Sequence, residues 1–121
     1  MDYRRLGRSG LKVSRLALGC MSYGDPGWRP WVLDESAARP FFRRAIEAGI
    51  NFFDTADMYT QGSSESLLGK FIRERNCRDF AVIATKYTFN AQPGNPNAGG
   101  NGRKNMLRAV EGSLQRLQTD Y

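Results

Sequence analysis

Three short apolar runs, residues 16–20, 50–53 and 80–84, alternate with stretches whose apolar residues recur at helical spacing. That alternation limits the fold more than any other feature of the chain. A short apolar run bounded by turn residues suits a strand buried on both faces, whereas a 3.6-residue period marks a helix with one apolar stripe. Strand, helix, strand, helix, strand, helix predicts right-handed βαβ units around a parallel sheet, which is the α/β class.

Residues 34–48 place Ala38, Phe41, Phe42, Ala45 and Ile46 on one helical face, with Arg39, Arg43, Arg44 and Glu47 largely elsewhere. Pro40 removes a backbone donor, so this helix either kinks there or starts only shortly before it, and Gly49 closes its end. In the second helix Ser63 or Ser64 can cap the N-terminus, Glu65 suits the positive dipole end, and Leu67, Leu68, Phe71 and Ile72 form the apolar face. The third helix begins near Arg103 and shows a face of Leu107, Val110, Leu114 and Leu117, weakened by Gly112. Residues 90–102, rich in Asn, Pro and Gly, read as a loop. So do residues 21–33, where Trp28 and Trp31 flank Pro30. Residues 1–14 form a separate hairpin that turns through Gly7-Arg8-Ser9-Gly10.

With 121 residues, 40% of them apolar and 12% aromatic, the chain fits one domain with a real core. The net charge of +6 raises nucleic acid as a partner. Its distribution argues against one. Arg4, Arg5, Arg8, Lys12 and Arg15 are interrupted by glycines and apolar residues, the pattern of a solvated basic surface. No stretch approaches the ~18 consecutive apolar residues of a membrane span, and the N-terminus lacks the apolar run of a signal peptide, so a cytoplasmic setting is expected. Cys20 and Cys77 have no metal-site spacing and no histidine beside them; they are expected to be reduced thiols, and no metal site is expected.

Open doubly wound sheets and closed (β/α)8 barrels both satisfy the element order. A nucleotide-binding open sheet would carry Gly-x-Gly-x-x-Gly after its first strand, and Gly19-Cys20-Met21-Ser22-Tyr23-Gly24 does not match. Asp54 and Lys86 each follow an apolar strand run, and Tyr59 lies in the loop between them. Barrel enzymes build their sites at the C-terminal rim of the strands, where a lysine needs a partner and Asp54 is the nearest candidate. A lysine cation beside a phenol favours the phenolate, which makes the hydroxyl a usable proton donor to a developing alkoxide. The same spacing is also met by a strand-end cap, a solvent-seeking lysine and a loop aromatic.

Several segments together resemble the aldo-keto reductase superfamily, in the manner of its bacterial, potassium-channel-β-subunit-like branch. They are Tyr3-Arg4-Arg5-Leu6-Gly7-Arg8-Ser9-Gly10-Leu11-Lys12-Val13-Ser14, Leu18-Gly19-Cys20-Met21, Gly49-Ile50-Asn51-Phe52-Phe53-Asp54-Thr55-Ala56-Asp57-Met58-Tyr59, Ser64-Glu65 with Leu68-Gly69, Ile83-Ala84-Thr85-Lys86, and residues 113–121. The resemblance implies a (β/α)8 TIM barrel closed at its bottom by an N-terminal hairpin. It implies NADP(H) bound without a Rossmann domain, and hydride transfer between nicotinamide and the carbonyl of a small aldehyde or ketone. Carried over by motif, Tyr59 is the general acid, Lys86 tunes it, and Asp54 pairs with Lys86. Gly19, Cys20 and Met21, with Asp54, match the contacts to the nicotinamide side of the cofactor. The family's fourth catalytic residue is usually a histidine, and this sequence contains none. Residues 1–14 and 15–121 are therefore expected to be the hairpin and three βα units of a truncated barrel, an incomplete carrier of reductase chemistry. The alternative is a non-catalytic half-barrel that binds or assembles, with self-association through an exposed edge.

Overall fold

The computed structural model describes all 121 residues. Strands β1 (Tyr3–Arg5) and β2 (Lys12–Ser14) form an antiparallel hairpin, made possible where Gly7 takes φ +59°. Asn51 fastens this hairpin to the rest of the chain. Its Oδ1 accepts from the Ser14 N–H at 2.7 Å, its Nδ2 donates to the Lys12 carbonyl at 3.1 Å, and its own N–H donates to Ser14 Oγ at 3.2 Å. The Tyr3 hydroxyl adds a bond to the Gly49 carbonyl at 2.8 Å.

A three-stranded parallel sheet follows, in the order β3 (Ala17–Gly19), β4 (Phe52–Asp54), β5 (Val82–Ala84). The connections are the helices α1 (Glu35–Glu47) and α2 (Ser63–Glu74), and α3 (Arg103–Leu117) comes last. Leu18, Phe53 and Ile83 stand in register, as do Gly19, Asp54 and Ala84. Because successive strand residues alternate faces, the first trio turns to the helices and the second to the opposite side. Phe53 is fully buried there in a core with Phe42, Leu68, Phe71 and Ile72. The opposite face is open: Ala17 and Gly19 are exposed, so the expected two-sided burial fails for β3, whose second face no element of this chain covers.

In α1 the Asp34 carboxylate caps the N-terminus by accepting from the Ala37 N–H at 2.9 Å. The helix starts at Glu35 and runs through Pro40 without ending. Ala38, Phe42 and Ala45 are buried as the period requires, and Ile46 packs against the core. Phe41 is not; it is 51% exposed, because it lies one residue around the cylinder from Phe42 and only one side of α1 meets the sheet.

The serines at the start of α2 do not cap it. Gly62, at φ +91°, is the N-cap and makes no side-chain bond, while Ser64 turns inward and donates to the Cys20 carbonyl at 2.7 Å. Leu67, Leu68, Phe71 and Ile72 are all buried, as expected.

Helix α3 departs furthest from its sequence pattern. Leu107 and Val110 are exposed, Leu114 is half-buried, and the buried stripe is Asn105, Ser113 and Leu117. Of the expected row only Leu117 is buried, at the end where α3 packs closely on α2 and Gly69 meets the main chain of Leu117 directly. A methyl group at Gly69 would overlap the Leu117 carbonyl. Gly69→Ala is expected to destabilise the fold by about 1–3 kcal/mol, seen as a lower urea midpoint; an unchanged midpoint would mean that the two helices separate freely. No helix is long and apolar enough to cross a membrane.

Candidate active site

The parallel register puts Asp54 at the end of β4 beside Ala84 at the end of β5, and Lys86 follows two residues later. An alternation of two therefore aims Lys86 to the same face as Asp54. Lys86 Nζ donates to Asp54 Oδ2 at 2.7 Å, to the Thr55 carbonyl at 2.6 Å and to the Tyr59 hydroxyl at 3.3 Å. Three acceptors meet the three protons of one ammonium group. The same nitrogen lies 4.9 Å from the centroid of the Tyr59 ring, within cation–π range. Burial works against the charge of Lys86, but hydrogen bonds to the Asp54 carboxylate and the Tyr59 hydroxyl outweigh it and hold the ammonium above the ordinary lysine range. Asp54, Tyr59 and Lys86, singled out from sequence, thus form one cluster at the C-terminal rim.

Tyr59 opens a 3-10 turn (Tyr59–Gly62) whose next three residues are left-handed: Thr60 at φ 48°, Gln61 at φ 54° and Gly62 at φ 91°. For the two that are not glycine this costs about 1–2 kcal/mol each. Packing holds the turn in place. Thr60 is buried, and Gly24, at φ +146°, lies so close that any Cβ there would overlap Thr60 Oγ1.

Gly19 and Met21 are exposed at the end of β3, next to Asp54 in register, and no atom lies within 4 Å of where a Cβ of Gly19 would stand. This leaves a bare ledge beside the Asp54–Lys86–Tyr59 cluster. Cys20 behaves differently. Its side chain is fully buried, its N–H donates to the Asp54 carbonyl at 2.8 Å and its carbonyl takes the Ser64 bond, leaving nothing free toward the rim. Burial first, and the Asp54 carboxylate second, push its thiol up to about 12, so it stays neutral.

Beneath the cluster lies a network that sequence reasoning missed. Glu65 is fully buried; Oε2 accepts from Arg116 Nε at 2.6 Å and Oε1 from Thr85 Oγ1 at 2.6 Å. Thr85 is the neighbour of Lys86, so the Glu65 carboxylate braces the strand end that carries the lysine. Asp57 sits close by, and burial first and the Glu65 charge second hold its carboxyl above the usual range, with Arg116 opposing. The signal was available: Glu65, Leu68, Gly69 and Ile72 are spaced three, four and seven, which places a glutamate on the buried stripe of α2.

A parallel βα sheet with a docked N-terminal hairpin and an Asp–Lys–Tyr cluster at its C-terminal rim defines a segment of a βα-barrel. Residues 15–121 match the model of the Aldo/keto reductase family. The chain belongs to the aldo/keto reductase family. It is 42% identical to a versiconal hemiacetal acetate reductase of Aspergillus parasiticus, over 98% of this chain and 40% of that protein. It is 40% identical to a putative voltage-gated potassium channel subunit beta of Schizosaccharomyces pombe, over 100% of this chain and 34% of that one. An aldo-keto reductase from Bacillus halodurans, solved in its holo form, superposes with a TM-score of 0.80 at 40% identity, covering 100% of this chain and 38% of the other. The fold is accordingly that of the hairpin and three βα units of a (β/α)8 TIM barrel. The chain spans about 40% of the length of the curated relative from Aspergillus.

Proposed function

We propose that this chain carries the proton-transfer half of an NADP(H)-dependent reductase acting on small aldehydes or ketones. The three-way bonding of Lys86 to Asp54, Thr55 and Tyr59 is the observation that carries the reading. The cofactor, when bound, supplies the hydride. Gly19, Met21 and Asp54 are the side of the rim that fits its nicotinamide end, with Cys20 supporting them from the core. Tyr59 holds the proton that passes from its hydroxyl to the carbonyl oxygen as negative charge develops there. Lys86 stabilises the phenolate left behind, and Asp54 fixes the ammonium in place. An open cleft of about 610 Å3, lined by Trp28, Asp57, Met58, Phe89 and Arg116 among others, borders the Tyr59 turn through Met58 and Gln61, though the Asp54–Lys86–Tyr59 cluster itself does not line it. The free thiols of Cys20 and Cys77 support a reducing, cytoplasmic setting.

Titration of the purified chain with NADPH, read by fluorescence, is expected to saturate, and aldehyde-dependent NADPH oxidation to follow only where a partner or a second copy completes the barrel. Tyr59→Phe should keep the binding and lower turnover at least about a hundredfold. Absence of saturable binding overturns the reading. A second reading, a half-barrel that associates with a complementary surface or its own copies, is favoured by the free edges of β3 and β5 and by exposed Phe89, Leu107 and Val110. A defined oligomer in size-exclusion chromatography without cofactor binding would support it.

A further inference from the structure

We propose that Asn101 is a modification site: the main-chain nitrogen of Gly102 attacks its side chain, and the residue deamidates without an enzyme to aspartate and isoaspartate. In that step Gly102 N bonds to Asn101 Cγ, the bond from Cγ to the side-chain nitrogen breaks, and ammonia leaves with the proton that Gly102 gave up. Water then opens the cyclic imide at either carbonyl. The sum is asparagine plus water giving aspartate or its isomer plus ammonia, with no oxidant or reductant involved.

Four observations single out this pair. Asn101 is the one asparagine of the chain followed by glycine, and both residues are exposed. Around Gly102 the space is open, with no atom within 4 Å of where a Cβ would stand, so no neighbour crowds the glycine side of the ring that must form. The Gly102 N–H enters no hydrogen bond, because the residue stands just ahead of α3 as its N-cap. Finally, the Thr88 hydroxyl donates to Asn101 Oδ1, which polarises the Cγ–oxygen bond toward attack and leaves the departing nitrogen unpartnered.

The other asparagines lack this combination. Asn51 is buried with both amide atoms engaged, and Asn105 is buried within α3. Asn95 precedes Pro96, which has no N–H. After Asn76, Asn90 and Asn97 the next N–H is already donated, from Cys77 to Ile72, from Ala91 to Ala98 and from Ala98 to Asn95.

The product suits its place. The first turn of α3 has no acidic residue and no side-chain cap, and it begins with Arg103 and Lys104. A new carboxylate at residue 101 meets the positive end of the helix dipole and these two cations.

The purified chain is incubated at mildly alkaline pH, and its peptides are mapped by mass over time. The peptide holding residue 101 should gain about 1 Da, react with an isoaspartyl methyltransferase, and do so faster as the pH rises, while the other asparagines stay intact. Gly102 has an ordinary φ of −65°, so Gly102→Ala leaves the fold in place and should slow the conversion several-fold. An Asn101 that stays intact while a Gly-Asn-Gly peptide in the same solution deamidates would overturn the proposal, as would equal loss in the Gly102→Ala chain.

Discussion

Replacing Arg116 by alanine is expected to cost about 3–5 kcal/mol of unfolding free energy, because it strips the cation from a carboxylate that water cannot reach. Glu65 is fully buried, and its bond to Arg116 is 2.6 Å long. The arginine side chain is itself 34% exposed, so its own desolvation is partial and the lower end of that range is the better figure. Asp57 loses the charge that opposes Glu65, and its carboxyl moves further up. Urea denaturation followed by circular dichroism reads the loss directly, and a change below about 1 kcal/mol would place the pair among ordinary surface ion pairs. Adding Glu65→Gln to the same chain should recover much of the stability, since the amide oxygen still accepts from Thr85 and no buried charge remains.

Neighbouring phenylalanines on α1 should behave as opposites. Phe42→Ala removes a ring at the centre of the core, 4.7 Å from the Phe71 ring and 4.9 Å from that of Tyr23, and should cost about 3–5 kcal/mol. Phe41→Ala removes a ring that is half in water and should cost less than about 1 kcal/mol. The difference is a direct measurement of how α1 is rotated on the sheet. Equal losses would mean that the helix presents the broader face which its apolar spacing suggests.

That contrast also shows where sequence was informative. Apolar runs and helical periods place the three parallel strands and the three α-helices in order, because burial of one helix stripe and of a strand core leaves a pattern in the residues themselves. They also bring Asp54, Tyr59 and Lys86 to one rim, since parallel neighbours end at the same edge. Which way a helix turns is another matter. On α3 the aliphatic row of Leu107, Val110, Leu114 and Leu117 is buried only at Leu117, beside Ser113, where Gly69 on the facing helix lets the main chains approach closely. The serines before α2 read as caps by composition, yet Ser64 is taken by the Cys20 carbonyl, a partner forty-four residues away. Glu65 stands between the two cases: its spacing puts it on the buried stripe of α2, but an acid in a first helical turn is usually solvated, and only the arrival of Arg116 and Thr85 from distant segments makes its burial affordable.

The hairpin at the N-terminus has a consequence for the order of events at the ribosome. Its hydrogen bonds to the rest of the chain run to Gly49 and Asn51, and Ser14 meets an atom made 37 residues later. At synthesis rates of about 5–20 residues per second, β1 and β2 wait about 2–9 s before their docking partners exist. A two-stranded ribbon alone is marginal in water, so for that interval the hairpin, though made before its docking partner, stays unsettled.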